Sequence, residues 1–295
     1  PDALGSLAAG GTLGIMIPPS INFIIYGSMT NTSVGKLFLA GVIPGLGLAS
    51  LFMVYIYLSH KLRAEKVPVI DVPWAQRVQL LRNLVEPVSV FGVVMGSLYL
   101  GIATATESAA LGLVTVLAFI VTQKKLSVEL LQTCFLSSAR TTGMILLIVA
   151  GAFVLNLALS LTGIGEALTQ WVTGFGLSRV QTLLCLIIFY LILGMFMDTL
   201  SMMVATIPLV FPVISSVGVD PIWFGVFIVL MCELGLITPP VGMNLFVVQG
   251  IRPDNGPVAD VIRGAIPYAL IMILFALMLI AFPFIATWLP ELMRG

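Results

Sequence analysis

Charged residues are scarce in this sequence. Asp, Glu, Lys and Arg make up 9% of its 295 residues, whereas soluble domains contain about 25%. Because so few charges cannot cover the surface of a soluble protein of this length, a soluble globular fold is excluded. The 13 basic residues balance the 13 acidic ones, and without a basic excess to meet phosphate groups a nucleic-acid-binding protein is excluded as well.

Histidine and cysteine are also rare. The single histidine, His60, lies among charged residues at the edge of an apolar stretch, and three cysteines stand alone in apolar segments, Cys134, Cys185 and Cys232. This pattern gives neither a disulfide framework nor the spacing of metal ligands. The sequence also lacks the HExxH motif that an intramembrane zinc hydrolase would need. We therefore expect no catalytic residues, no transition-metal site and no bound cofactor.

Long apolar runs take the place of the missing charges. Hydrophobic residues make up 59% of the chain, and the mean hydropathy is +1.15. At about 20 apolar residues per span, the chain has room for roughly eight spanning or re-entrant segments. Helices satisfy their own backbone hydrogen bonds in lipid. The sequence therefore predicts an all-α polytopic membrane protein.

The distribution of Lys and Arg orients these segments. The stretch 60–84 holds five of them, with apolar residues at helical spacing, which predicts an amphipathic arm on the cytoplasmic surface. A second amphipathic stretch, 127–137, precedes a span at 141–161, and the following stretch, 163–178, has no Lys or Arg and is predicted to lie outside. The apolar run 180–216 is interrupted at GMFMDTLS, which predicts a re-entrant hairpin that opens outward.

Two parts of the chain resemble each other. The motif GIMIPP at 14–19 resembles GLITPP at 235–240, and GVIP at 41–44 resembles GAIP at 264–267. The last prolines of the two motifs are 25 residues apart in the first copy and 27 in the second. Under the orientation above, the first copy runs from inside to outside and the second from outside to inside. Paired, proline-interrupted segments of opposite orientation indicate the binding site of a secondary transporter.

The interruptions have a chemistry of their own. Two consecutive prolines remove two backbone donors and end a helix, and unwound backbone at membrane depth is tolerated where it lines a cavity or meets a ligand. Carbonyl groups before the break suit Na⁺, and amide groups after it suit a carboxylate. The residues predicted to bind or support the substrate at the two breaks are Pro18, Pro19 and Asn22, and Pro239, Pro240 and Asn244.

Two acidic residues lie within apolar segments. Asp198 is at the predicted tip of the hairpin, and Glu233 is two residues before Gly235 in an apolar helix. A carboxylate inside the membrane is costly unless it is paired or coordinates a ligand, so both are candidates for a functional role. For Asp198 the alternative is an N-cap of the following helix, and both roles are compatible. For Glu233 the alternatives are a site-supporting or gating role and a structural pair with a neighbouring helix.

At these motifs the sequence resembles the large membrane subunit of tripartite ATP-independent periplasmic (TRAP) transporters. The matching stretches are GGTLGIMIPPSINFIIYG with the following LFLAGVIPG, GIATATESAALG, GMFMDTLSMMVATIPLVFPV and FGVFIVLMCELGLITPPVGMNLFVVQGI. They follow one another in the order of the family and cover the whole chain.

The resemblance implies an elevator-type transporter in the bacterial inner membrane that imports an organic acid together with Na⁺. The implied partners are a periplasmic substrate-binding protein and a small four-helix membrane subunit. The resemblance also implies a Na⁺ site between the hairpin and the second break, formed by Gly194, Gly235, Thr238 and Val241. A matching site at the first break would use Ser20 and a hairpin that precedes Pro1 in the family.

Region boundaries follow from these segments and the resemblance. The chain is expected to hold one complete repeat and the tail of another. In order, the regions are 1–59, the end of the first repeat with an interrupted helix at 3–29 and a span at 35–59; 60–84, the cytoplasmic arm; 85–162, scaffold helices of the second repeat; 163–178, an amphipathic stretch on the periplasmic side; and 179–289, transport elements with the hairpin at 180–216, an interrupted helix at 221–250 and a last span at 265–289.

One alternative function remains open at this point. A single-component, cation-coupled carrier of organic anions with the same inverted-repeat architecture would have a similar composition. It would differ in needing no binding protein. C4-dicarboxylates, sialic acid and other sugar or keto acids all fit the implied substrate class.

Overall fold

A computed structural model describes residues 2–63, 73–74, 76, 81, 84–252, 254 and 256–292. The regular structure within these residues is helical, without a strand. Most of the predicted cytoplasmic arm at 60–84 lies outside the described residues, so that arm stays a prediction.

Thirteen helices can be followed in the described residues. In chain order they are α1 (Asp2–Met16), α2 (Ile21–Thr30), α3 (Val34–Arg63), α4 (Val85–Tyr99), α5 (Ala105–Thr122), α6 (Val128–Thr162), α7 (Ile164–Gly174), α8 (Arg179–Gly194), α9 (Thr199–Ser216), α10 (Pro221–Leu236), α11 (Met243–Ile251), α12 (Val258–Ala281) and α13 (Phe284–Leu292).

Five of these helices, α3, α5, α6, α9 and α12, are long and apolar enough to cross a membrane, and the number rises to seven if each of two bent helix pairs is one span. The prediction of an all-α polytopic membrane protein is confirmed. The amphipathic stretch at 127–137 continues without a break into the span at 141–161, because both belong to α6, one continuous helix of 35 residues. Nothing between the two stretches breaks a helix: the connecting sequence, SSART, contains neither Pro nor Gly.

The described chain forms two compact units, Ser59–Ile145 on the one hand and Pro1–Leu58 with Leu146–Gly295 on the other. In the smaller unit α4 and α5 pack together, and the buried Ser97 hydroxyl donates to that of Ser108 over 3.0 Å. Helix α5 begins with a capping box, in which Thr104 and Glu107 satisfy each other's backbone amides.

Helix α10 is the core of the larger unit. Every residue of this helix from Trp223 to Leu236 is buried, and seven helices, α1, α2, α8, α9, α11, α12 and α13, pack around it. The helix begins sharply because Pro221 occupies the first turn and the Asp220 carboxylate accepts from the backbone amide of Trp223 at 2.9 Å. A helix that is apolar on all faces is buried on all faces. The positions of the surrounding helices can therefore be described relative to α10.

Helices α8 and α9 form the predicted hairpin. A four-residue turn, 195–198, joins them, and buried hydroxyl groups of Tyr190 and Thr206 are 2.9 Å apart across the pair. These two residues are the same number of positions from Asp198 along the sequence, as expected for residues that face each other across an antiparallel hairpin. The chain therefore folds back at GMFMDTLS, and the outward-opening, re-entrant placement of this hairpin in the membrane stays a prediction.

The two copies of the sequence repeat have the same order of elements. In each, a helix ends at a Pro-Pro break, a short helix follows, and a long helix then contains a proline, Pro44 in α3 and Pro267 in α12. The Tyr26 hydroxyl donates to the carbonyl of Pro221 at 2.6 Å, while the backbone of Met16 lies near the Glu233 side chain. The first copy therefore runs antiparallel to α10, which is the relation expected for an inverted repeat.

Candidate functional site

The second break is an unwound segment between α10 and α11. Helix α10 ends at Leu236 and α11 begins at Met243. The Thr238 side chain is buried, and its hydroxyl donates to the carbonyl of Leu234 at 2.6 Å. The backbone amide of Thr238 donates to the carbonyl of Gly235. Because the hydroxyl proton is used in this way, the lone pairs of Thr238 Oγ1 remain able to accept a donor or to bind a cation.

The hairpin meets this break backbone to backbone. A Cβ atom added to Gly194 would lie 2.6 Å from the Cα atom of Gly235, and one added to Gly235 would lie 2.7 Å from the Cα atom of Gly194. Neither distance is compatible with a real Cβ atom, so both positions need glycine for this approach. Next to this contact, the backbone amide of Val241 donates to the carbonyl of Met195, the residue after Gly194, at 3.2 Å. The structure thus brings together Gly194, Gly235, Thr238 and Val241, although they come from two separate stretches of sequence.

Sequence reasoning missed one residue of this break, Gly242. Its φ is +30°, and a Cβ atom here would lie 2.9 Å from the carbonyl oxygen of Thr238 and 3.1 Å from that of Leu236. Both carbonyl groups therefore converge on the Cα atom of Gly242. The signal in the sequence was a glycine directly after the Pro-Pro-Val triplet, at the start of the next helix.

Asp198 caps helix α9. Its Oδ2 atom accepts from the backbone amides of Leu200 and Ser201 at 3.1 and 3.2 Å, which is the N-cap predicted as one of its two possible roles. The hydrogen bonds described for this residue use Oδ2, so the second oxygen is still available to a cation or a polar ligand. Asp198 is half-buried at the turn of the hairpin, three residues beyond the carbonyl that holds Val241.

The first break contains the same Pro-Pro motif as the second break but makes different contacts. Pro18 is buried and Pro19 exposed, while Pro239 is half-buried and Pro240 exposed; both Pro-Pro peptide bonds are cis. Ser20 is the N-cap residue of α2 but its side chain makes no cap hydrogen bond. The Ser20 hydroxyl oxygen and the Asn22 amide nitrogen are both buried without a hydrogen-bond partner among the described residues.

The equivalent asparagine of the second break is bonded. Asn244 donates from its amide nitrogen to the carbonyl of Ala8 in α1 at 3.3 Å. Helix α1 also lies directly on α12, where Gly5 and Gly264 touch without room for a side chain on Gly5. The two breaks are therefore parts of one packed body, and Asn244 connects the second break to the helix that leads into the first.

Glu233 is completely buried in α10, and neither of its carboxylate oxygens has a hydrogen-bond partner among the described residues. The backbone of Met16 lies near the carboxylate but makes no hydrogen bond with it. A structural pair with a side chain of a neighbouring helix, one of the two roles predicted for it, is thus not formed within the described chain.

A cavity of about 400 Å³ lies elsewhere in the larger unit, between the end of α6, helix α7 and the outer half of α9. Its polar lining includes Asn156, Glu166 and Gln170, together with Pro208 and Pro212. None of its lining residues belongs to either break, so the cavity is separate from the convergence of hairpin and break described above.

Comparison with known proteins agrees with this architecture. Residues 1–285 match the family described as the tripartite ATP-independent periplasmic transporter, DctM component. The C4-dicarboxylate TRAP transporter large permease protein of Pseudomonas aeruginosa is 36% identical over 297 residues, which cover 99% of this chain and 68% of that protein. Its counterpart in Vibrio cholerae is 31% identical over 317 residues, covering 99% and 69%. The sialic acid TRAP transporter large permease protein of Vibrio cholerae is 31% identical over 299 residues, covering 99% and 68%. This multi-pass membrane protein therefore belongs to the DctM family, the large permease proteins of TRAP transporters.

Proposed function

We propose that this chain belongs to the permease of a secondary transporter that imports an organic acid coupled to Na⁺ through the bacterial inner membrane. A periplasmic binding protein would deliver the substrate, and a small four-helix membrane subunit would complete the complex. In this proposal the helices around both breaks move together as an elevator. The observation that carries the proposal is the backbone contact between Gly194 of the hairpin and Gly235 of the second break.

The contact supports a cation site because of the groups it gathers. Na⁺ is a hard cation that binds oxygen ligands, chiefly carbonyls and hydroxyls. The end of α8 and the end of α10 meet here, and the last carbonyl groups of a helix lack intrahelical partners and carry its negative dipole end. Buried Thr238 adds a hydroxyl oxygen, and the carbonyls of Leu236 and Thr238 converge nearby. We assign Gly194, Gly235, Thr238 and Val241 to this site, and Ser20 to its counterpart at the first break.

The charge distribution supports an anionic substrate held without basic side chains. The sequence has no Lys or Arg between Arg179 and Arg252, and none before Lys36. An acid at the breaks would therefore meet the positive ends of α2 and α11, the side chains of Asn22 and Asn244, and the bound cations. The substrates named for relatives, C4-dicarboxylate and sialic acid, are acids of this class.

The test is uptake into proteoliposomes that contain the complete permease, its small subunit and the binding protein. We expect uptake to require both a Na⁺ gradient and the substrate-loaded binding protein. Thr238→Ala should raise the Na⁺ concentration for half-maximal uptake about tenfold, since a ligand oxygen is worth about 1.4 kcal/mol.

The matched control is Thr173→Ala, because the exposed Thr173 hydroxyl also donates one turn back, to the carbonyl of Thr169. Equal Na⁺ dependence in the Thr238 and Thr173 variants would refute the site. Full uptake of free substrate without the binding protein would instead identify a single-component carrier.

A further inference from the structure

The cavity between α6, α7 and α9 continues into a second, smaller one. The second cavity has a volume of about 150 Å³, shares Asn156, Pro208 and Pro212 with the first, and reaches Met29 near the end of α2. We call the two cavities together the outer groove. Every residue that lines it belongs to the larger unit, and none belongs to the proposed cation and substrate sites. The outer groove is therefore a candidate for a ligand of its own.

The outer groove is polar at one end and apolar at the other. The lining of the first cavity includes the polar residues Asn156, Ser160, Glu166, Thr169 and Gln170, and that of the second includes the apolar residues Met29, Ala152, Phe153, Ile207 and Phe211. Asn156 lies six residues, about 9 Å, before the end of α6, and Ala152 lies ten residues, about 15 Å, before it. Since α6 is predicted to end at the outer face of the membrane, the apolar end lies deeper in the hydrocarbon, as the acyl chains of a phospholipid do.

The polar side chains of the groove lack partners within the protein. No hydrogen bond or ion pair joins the side chain of Asn156, Glu166 or Gln170 to another residue in the described part of the chain. The surface of α6 beside Asn156 is apolar, with Val154 and Leu157 exposed, so it faces lipid rather than water. A side-chain amide in such surroundings is destabilising unless it is hydrogen-bonded. The partner of Asn156 is therefore expected to come from a bound molecule.

The charge of the groove selects among possible ligands. Among the residues that the structure describes, Glu166 is the only charged one in the lining, and the sequence has no Lys or Arg between Arg140 and Arg179. A carboxylate without basic neighbours attracts a cation and repels an anion. The side-chain amides of Asn156 and Gln170 can donate to a phosphate beside that cation. This combination fits a zwitterionic headgroup that carries both a phosphate and an ammonium group.

An aromatic pair on α7 marks the depth of the polar end. The rings of Trp171 and Phe175 meet edge to face with their centres 4.9 Å apart, and both side chains are exposed. Exposed tryptophan side chains are enriched where the hydrocarbon meets the headgroups. Because Trp171 follows Gln170 directly in α7, the polar end of the groove is expected at the level of the lipid headgroups.

We propose that the outer groove binds one phosphatidylethanolamine molecule of the outer leaflet. The ammonium group of the lipid meets the Glu166 carboxylate, the phosphate accepts from the amides of Asn156 and Gln170, and an acyl chain enters the second cavity beside Ala152. A primary ammonium donates hydrogen bonds that a choline group cannot, and phosphatidylglycerol would bring a net negative charge next to Glu166. The bound lipid would fill the gap between α6 and α9. This site depends neither on Na⁺ coupling nor on the identity of the substrate.

Native mass spectrometry of the complete permease with its small subunit tests the headgroup preference. The complex is freed of lipid in detergent and titrated with the dioleoyl forms of phosphatidylethanolamine, phosphatidylcholine and phosphatidylglycerol. We expect one phosphatidylethanolamine to bind at a concentration about tenfold lower than either other lipid, since one charge-assisted hydrogen bond distinguishes them. Glu166→Gln should raise the half-saturating concentration of phosphatidylethanolamine about tenfold and leave that of phosphatidylglycerol unchanged or lower. Glu129→Gln is the matched control, because Glu129 is exposed at the start of α6, and it should keep the preference.

A second pair of variants tests the apolar end. Ala152→Leu places a larger side chain in the second cavity, where Ala152 is 3% exposed. Ala158→Leu makes the same change on the exposed surface of the same helix, outside the lining. We expect all three lipids to bind about tenfold more weakly to Ala152→Leu and with unchanged affinity to Ala158→Leu, while the two variants melt at the same temperature without lipid.

Three results would overturn the proposal. One is equal affinity of the unmodified complex for the three lipids, as expected if a protein segment or water fills the groove. Another is an undiminished preference for phosphatidylethanolamine in Glu166→Gln, which would place the headgroup elsewhere. The third is an equal loss of lipid binding in Ala152→Leu and Ala158→Leu. Because Glu166 is exposed, its variant should fold and keep the test open even if Ala152→Leu does not fold.

Discussion

The contact between the hairpin and the second break can be tested by adding a single methyl group. Gly194→Ala and Gly235→Ala would each place a Cβ atom 2.6 or 2.7 Å from the opposite Cα atom. Overpacking of this kind costs about 1–3 kcal/mol, while Ala in place of a helical Gly returns about 0.5–1 kcal/mol. The net cost is therefore up to about 2.5 kcal/mol, and the backbones must separate because neither clashing atom belongs to a flexible side chain.

If the Na⁺ ligands are the carbonyl groups at this contact, separation of the backbones weakens Na⁺ binding. A loss of up to about 2.5 kcal/mol corresponds to a rise of up to roughly 70-fold in the dissociation constant. The assay is the stabilisation of the purified protein against heat as a function of Na⁺ concentration, which needs no transport partner. Gly250→Ala is the control, since Gly250 is helical and a Cβ atom there meets nothing within 4 Å.

The double variant makes the experiment stricter. Gly194→Ala and Gly235→Ala act on one contact, so the two losses of Na⁺ affinity should not add. Once the first methyl group has separated the backbones, the second meets less resistance. Two independent, additive losses, or unchanged Na⁺ affinity in both single variants, would show that the contact does not form the cation site.

Three further variants test other parts of the structure. Asp198→Asn keeps an N-cap but removes the charge, so we expect little change in melting temperature and weaker Na⁺ binding. Asp198→Ala removes the cap as well, so the same weak Na⁺ binding with an unchanged melting temperature would contradict the cap. Tyr26→Phe leaves the Pro221 carbonyl without its donor and should destabilise the protein by about 1–3 kcal/mol in thermal or denaturant unfolding; unchanged stability would contradict a role for this bond. The pKa of Asp254 lies below its usual value because the Arg252 side chain donates to it. The resulting stabilisation is present above the carboxyl's unfolded pKa and is lost as the pH falls through its lowered pKa in the folded protein. The melting temperature of Asp254→Asn should therefore fall less on acidification than that of the unmodified protein, and equal falls would contradict the pair.

Local chemistry made the breaks and the hairpin predictable. Consecutive prolines end a helix wherever they occur, and Asp198 carries a cap signal that holds for one helix end whatever surrounds it. The antiparallel direction of the two copies followed from counting charged loops along the chain. The breaks and the cap depend on residues close in sequence, and the structure has a helix end before each Pro-Pro pair and an N-cap at Asp198.

Contacts between distant segments could not be predicted in the same way. The donation from Asn244 to Ala8 joins residues 236 positions apart, and nothing in the spacing of either residue fixes how the two helices are rotated about their axes. The Asn22 amide nitrogen has no hydrogen-bond partner among the described residues, whereas that of Asn244 donates to Ala8. The sequence does not show this difference, because both residues stand at equivalent places in the repeat.

Helix α10 is short for a membrane. Its 16 residues span about 24 Å, so if it begins at one face of a hydrocarbon layer about 30 Å thick it stops about 6 Å before the other. A charge held where it ends would then lie within the electric field of an energised membrane, which is worth about 2.3 kcal/mol per elementary charge for each 100 mV crossed. Occupancy at the tip of α10 should accordingly follow the membrane voltage, even before any part of the protein moves.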